Sequence, residues 1–140
     1  MLQKDIDALN AHFFDNMDSE AIQLLVENQP DEDLDDGKLW SKWIINPGLS
    51  TSRSLGEDFV VAQYGTATLQ IFVPKGLYTG PGNDLRDRFN KLFRGWRSPD
   101  KRLVVDDLKS TSSAYSRGGA DFYLINAMFM WHSHRRSSDD

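Results

Sequence analysis

The chain has 140 residues, no cysteine and a net charge of −5 at neutral pH. This length fits one domain with its own core. The lack of cysteine excludes disulfides, thiolate nucleophiles and zinc sites of the usual cysteine type. The acidic balance disfavours a dedicated nucleic-acid-binding protein, because such domains are normally basic. The sequence has neither a signal-peptide pattern nor a run of ~20 apolar residues, so we expect a soluble, cytoplasmic protein without membrane contact.

The first predicted element is an amphipathic helix over residues 2–16. Its apolar positions recur at helical spacing and are Leu2, Ile6, Leu9 and Phe13. Such a stripe predicts a helix that packs one side onto a core. The apolar run at residues 22–26 is too short for a helix of its own and is interpreted as a short strand or a final turn.

An acidic run follows the short apolar segment. Its aspartates are Asp31, Asp33, Asp35 and Asp36. The spacing does not fit a calcium loop, because Asp36 stands where the sixth-position glycine is required and Lys42 where the final glutamate is required. We interpret the run as a solvated acidic loop.

The middle of the chain predicts three strand segments. Residues 38–45 are rich in aromatic and branched side chains, and Asn46-Pro47-Gly48 is predicted to end this strand. Residues 49–56, which include Arg53, are rich in serine and threonine and are predicted to form an exposed arm. Residues 59–64 and 66–73 are predicted to form an antiparallel hairpin that turns at Gly65.

A glycine-rich turn and a second amphipathic helix follow this predicted hairpin. The turn lacks the spacing of a P-loop or a dinucleotide fingerprint, so we interpret it as structural. The apolar positions of the helix are Leu85, Phe89, Leu92 and Phe93. Its outer surface is basic and lies beside an aromatic side chain; these residues are Arg86, Arg88, Lys91, Arg94 and Trp96. The basic surface is either solvated or a contact for an acidic partner or a neighbouring subunit.

The last third of the chain predicts two more strands. One begins at residues 103–105, and the Ser/Gly-rich residues 109–119 are predicted to be flexible. The other, over residues 121–131, is almost continuously apolar and should lie inside the sheet with both faces covered. Residues 132–140 are predicted to form a flexible tail, in which His132 and His134 lack a third metal ligand.

These elements predict one α+β domain over residues 1–140. We expect a mostly antiparallel sheet of four to five strands, with the N-terminal helix and the helix after the central hairpin packed on it. Neither a Gly-x-Ser-x-Gly motif nor a Ser-x-x-Lys motif with partners is present. We therefore expect no enzymatic activity, no cofactor and no metal.

Four stretches of the sequence resemble small proteins of tailed bacteriophages. They are Val26-Glu27-Asn28, WIINPGLSTSRSLG (residues 43–56), GTATLQIFVPKGLYTG (residues 65–80) and LFRG (residues 92–95). The likeness is to the tail terminators, or tail-completion proteins, of lambda-like siphophages, and QIFVPKG (residues 70–76) is its most specific part. The sequence departs from the usual Gly-Thr-Gly-Thr turn of that family at residues 76–80.

The resemblance implies a non-enzymatic virion protein whose copies form a hexameric ring. The ring would cap the head-proximal end of the tail tube, stop its polymerisation and offer a surface to head-completion or connector proteins, while genomic DNA passes through the channel without being read. The protein would reside in the virion after assembly in the host cytoplasm. The acidic run and the basic helix surface would then be able to meet between neighbouring copies. A neck or head-completion protein and a small nucleic-acid-binding module are the alternatives.

Overall fold

The computed structural model describes residues 2–17, 24–26, 37–52 and 60–136. Its elements, in chain order, are α1 (Leu2–Asn16), β1 (Leu24–Val26), β2 (Trp40–Ser52), β3 (Val60–Pro74), α2 (Gly80–Phe93), β4 (Leu103–Arg117) and β5 (Ala120–Arg136). The five strands form one sheet in the order β1-β2-β3-β5-β4, in which β1 runs parallel to β2 and all other pairs are antiparallel. The predicted α+β fold is confirmed. Neither of the described helices is long and apolar enough to cross a membrane.

Both helices pack on the same face of the sheet. The ring of Phe13 in α1 stacks on Trp43 of β2 with centroids 4.3 Å apart, and Phe89 of α2 stacks on Phe129 of β5 at 5.8 Å. Asn10 of α1 also accepts a hydrogen bond from the indole Nε1 of Trp43 at 2.8 Å. This hydrogen bond satisfies the polar atom of a buried tryptophan, so its large apolar surface is buried without an unpaired donor.

The connection between β3 and α2 has the predicted strand, turn and helix. Pro81 lies in the first turn of α2, where its missing N–H costs no helical hydrogen bond. Gly82 is buried against β3, and an added Cβ would lie 2.6 Å from Cγ2 of Val73. This glycine therefore lets the helix approach the sheet closely.

Gly65 does not form a turn, and the predicted hairpin is wrong. β3 is one continuous strand through Gly65, and β5 pairs with it along its length. A Cβ at residue 65 would lie 2.4 Å from Cζ2 of Trp131 on β5. Glycine is required here because the indole of Trp131 crosses the strand at this point.

The predicted end of β2 at residues 46–48 is also wrong. The strand continues to Ser52, with a shift in its register against β3 between Pro47 and Ser50. Gln63 stabilises this irregularity, because its amide nitrogen donates to the carbonyl oxygens of Gly48 at 3.2 Å and Tyr64 at 2.9 Å. Residues 49–52 of the predicted arm are thus strand, and the rest of the arm lies outside the described residues.

The predicted flexible segment at residues 109–119 is mostly strand. β4 reaches Arg117, and a two-residue turn of Gly118 and Gly119 joins it to β5. Both glycines have positive φ, +55° and +86°, as the favoured hairpin turn requires. The serines and threonines of β4 are exposed, which explains why the segment lacks the apolar alternation of a half-buried strand.

β5 lies between β3 and β4, as predicted for an inner strand. Its helix-facing side chains at Ile125, Ala127 and Phe129 are buried, but Met130 on the other face is 55% exposed. The expectation that both faces are covered is therefore wrong. The strand also continues to Arg136, so residues 132–136 are not a tail, and residues 137–140 lie outside the described part of the chain.

Candidate assembly surface

The basic surface of α2 faces away from the core. The helix buries Leu85, Phe89 and Phe93, which leaves Arg88, Lys91 and Arg94 exposed and Arg86 half-buried. Two of these cations have contacts with described residues. Arg88 donates to the carbonyl oxygen of Asn16 at 3.2 Å, and Arg86 pairs with the Asp87 carboxylate at 3.4 Å. Lys91 and Arg94 line a shallow recess of about 440 Å³ together with Asp87 and Asn90.

Trp96 lies at the end of this helix surface and is half-buried. Its ring stacks on His12 of α1, with centroids 4.4 Å apart and an interplanar angle of 19°. It also contacts the ring of Phe93 edge-on at 5.9 Å, and the His12 ring Nε2 is hydrogen-bonded to the Leu92 carbonyl oxygen at 3.0 Å. Trp96 therefore connects α1 to the end of α2, a packing role that the sequence analysis did not foresee.

The acidic partners predicted for the basic surface cannot be placed beside it. Asp31, Asp33, Asp35 and Asp36 lie outside the described residues, and so does Arg53. The structure therefore brings together only the α2 group of the predicted interface residues.

A buried charge network, missed by the sequence analysis, joins the two ends of the described chain. Asp5 of α1 is fully buried and receives hydrogen bonds from the Ser133 hydroxyl at 2.6 Å and from Nε of Arg135 at 3.0 Å. Arg135 in turn donates through another nitrogen to Asp100 at 2.6 Å. Because Asp5 lies three residues after Leu2 and four before Leu9, its position on the apolar stripe was a sequence signal for a buried carboxylate.

The loop before β4 holds Asp100 in its ionised form. Partial burial alone would raise the pKa of Asp100, but hydrogen bonds from Ser98, Arg135 and the Arg102 N–H outweigh it and hold the pKa well below its usual range. Burial alone would likewise lower the pKa of Arg135, and the hydrogen bonds and charges of Asp100 and Asp5 raise it instead. The network therefore consists of one guanidinium held between two carboxylates.

His132 is part of β5 and lies beside a carboxylate. Its ring Nδ1 is 2.7 Å from Oδ2 of Asp106, and its ring contacts that of His134 edge-on at 5.4 Å. Among the residues that the structure describes, no three metal-ligating side chains come together. The contact of His132 with Asp106 is thus a hydrogen bond at the protein surface.

An aromatic cluster covers one end of the sheet face opposite the helices. Trp40 stacks on Phe72 with centroids 3.8 Å apart, and Phe122 meets the Trp40 ring edge-on at 5.9 Å. The guanidinium of Arg117 lies over the Trp40 ring at 5.5 Å. This arrangement is a cation–π contact, which stabilises the tip of the β4–β5 hairpin against the strands beside it.

A cleft of about 700 Å³ lies between the loop after β3 and the β4–β5 hairpin. One wall is the loop after β3, on which Leu77 is 50% exposed. The other wall is the β4–β5 hairpin, including Tyr115, Phe122 and Tyr123. Exposed apolar side chains around a concave surface are typical of a contact with another protein.

Comparisons with known proteins bear on the fold alone. No family model and no curated protein matches the chain. A solved structure of a protein without a functional name matches it with a TM-score of 0.61 and 14% identity, over 91% of this chain and 94% of the other. The match therefore shows that this arrangement of two helices and one sheet occurs in another protein of about the same length.

Proposed function

We propose that the protein is a structural virion protein that forms a ring on the head-proximal end of a phage tail tube. The ring stops tube polymerisation and provides the surface for head-tail joining. The support is the resemblance to tail terminators, whose most specific residues, 70–76, fall on the end of β3 and the turn into α2. These residues position α2, the helix that exposes a row of cations.

The α2 surface supports a protein contact more than a DNA contact. Arg88, Lys91 and Arg94 are exposed on a helix whose opposite side is buried in the core, so the cations are held on a rigid element. The chain as a whole carries a net charge of −5. An acidic surface of a neighbouring copy or tail protein would be attracted to this local patch, whereas the net charge opposes approach to DNA.

Charge reversal on α2 tests the proposal. The variant Arg88→Glu with Lys91→Glu should keep the fold but fail to cap tail tubes, because repulsion at an interface costs several kcal/mol. A matched control, Lys4→Glu with Lys101→Glu, changes the net charge equally at exposed positions away from α2 and from the cleft. Electron microscopy of tails assembled with each protein measures the effect.

The outcomes separate the candidate functions. Overlong or headless tails with the α2 variant, and normal tails with the control, support the ring-capping role. Normal tails with both variants contradict a contact through α2. Binding of the parent protein to duplex DNA that weakens steeply with salt and disappears in the α2 variant would instead favour the nucleic-acid-binding alternative.

A further inference from the structure

β4 is an edge strand of the described sheet. In the described part of the chain, a bridge from Arg97 to Val104 and a hydrogen bond from the Val105 N–H to Trp96 cover only the start of the strand. Residues 110–116 are all exposed, and none of them is charged or proline. Natural edges usually carry charges, prolines or bulges that prevent further pairing. The register of β4 shifts earlier, between Val105 and Leu108, so residues 110–116 form an edge without these features that is suited to accept another strand.

The turn at residues 118–119 identifies the backbone groups that face outward. In a two-residue turn the flanking residues, here Arg117 and Ala120, form a hydrogen-bonded pair. Hydrogen-bonded and non-hydrogen-bonded pairs then alternate along an antiparallel ladder. The N–H and C=O groups that point away from β5 therefore belong to Ser110, Ser112, Ala114 and Ser116. All four side chains are small, so a further strand can approach closely.

The opposite edge of the same sheet has a compatible direction. β1 (Leu24–Val26) is the last described strand on that side. It runs parallel to β2, and the alternation through β3 and β5 makes β4 run opposite to β1. If copies are related by rotation about an axis along the strands, β1 of one copy meets β4 of the next in antiparallel orientation, with the helices of both copies on the same side of the sheet.

We propose that β4 of one copy pairs with the β1 edge of the adjacent copy, so that the sheets join around the ring. The inference rests on the proposed ring, because a contact between two different edges forms a ring when the rotation between copies closes and an open filament when it does not. The backbone groups of Ser112 and Ala114 lie at the centre of this contact. The exposed Leu77 lines the cleft together with Ala114.

A proline at residue 114 tests the contact without disturbing the hairpin. Ala114→Pro removes an outward N–H, which β5 does not use, so the variant should fold. Its self-association should weaken by about tenfold or more per interface, the effect of one lost hydrogen bond and an unpaired acceptor. Ala114→Thr keeps the N–H and is the matched control. Sedimentation velocity measures the oligomer; an unchanged oligomer in the folded proline variant would overturn the inference.

Cross-linking identifies the two edges. Because the chain has no cysteine, Ser113→Cys and Leu25→Cys can be made separately and mixed with a short bismaleimide. The inference predicts a product that joins residue 113 to residue 25 and forms in the mixture alone. A product that joins two copies of residue 113 would show symmetric β4–β4 pairing and overturn it. Rings that cap tails but give no 113–25 product would refute this contact and leave the proposed function standing, whereas a parent protein that forms no ring would refute both.

Discussion

The buried network around Arg135 gives the sharpest prediction about stability. Arg135→Met keeps most of the volume of the side chain but removes the guanidinium between Asp5 and Asp100. Asp5, which is 0% exposed, would then keep only the Ser133 hydroxyl among the partners described here. Removing one partner of a buried ion pair costs about 3–5 kcal/mol, because the other charge is left buried without compensation.

Urea and thermal unfolding measure this loss. For a chain of this length, each kcal/mol corresponds to about 3–5 °C in the melting temperature, so we expect a decrease of about 10–20 °C. Arg136→Met is the matched control, since the neighbouring arginine is exposed and such a change usually costs less than about 1 kcal/mol.

A second variant tests the physical reason. Asp5→Leu combined with Arg135→Met replaces the pair by apolar side chains and should recover most of the lost stability, because such replacements are often neutral. If Arg135→Met alone lowered the free energy of unfolding by less than about 1 kcal/mol, the network would not stabilise the fold as described.

Three further predictions concern the sheet and the loss of stability at low pH. Ile71→Asp should lower the free energy of unfolding by several kcal/mol, because it places an unpaired charge in the core, whereas Gln70→Asp on the half-buried opposite face should lower it much less. Equal losses for the two variants in urea unfolding would contradict the assigned faces. Gly65→Ala should lower the free energy of unfolding by about 1–3 kcal/mol, because the added methyl group clashes with Trp131. The loss should be smaller in a Trp131→Phe background, and an equal loss there would show that the backbone at residue 65 is the cause. Asp100 has a lowered pKa in the fold, so its contribution to the free energy of unfolding is fully present above the unfolded pKa of ~3.9 and is lost as pH falls through the folded pKa. The decrease of the melting temperature with falling pH should therefore be shallower in Asp100→Asn.

The helices were predictable because their signal is local. The stripe from Leu2 to Phe13 and the stripe from Leu85 to Phe93 each repeat at helical spacing within a few turns, and both helices form where predicted. The alternation at residues 66–73 was equally local and gives the central part of β3. Such helices and strands depend on residues that are close along the chain, so their pattern is visible in a single sequence.

The sequence-based predictions failed where the role of a residue depends on a partner that is distant along the chain. Gly65 has the composition of a turn, and only the position of Trp131 on another strand shows why glycine is required. The serine-rich part of β4 was predicted to be flexible because it lacks the apolar residues of a typical strand. It is exposed on both faces and therefore needs none, and its order comes from pairing with β5. The ion pair of Asp5 and Arg135 likewise joins residues at opposite ends of the chain.

The place of β5 in the sheet has a consequence for synthesis on the ribosome. β5 follows every other described strand along the chain, yet it lies between β3 and β4 and pairs with both. Until it emerges, β3 and β4 have no partner on those sides, and the Asp5 carboxylate has no arginine. A nascent chain therefore cannot complete its core before β5 has left the ribosome, and it exposes two unpaired strand edges until then. We expect a chain truncated before β5 to aggregate when it is made alone.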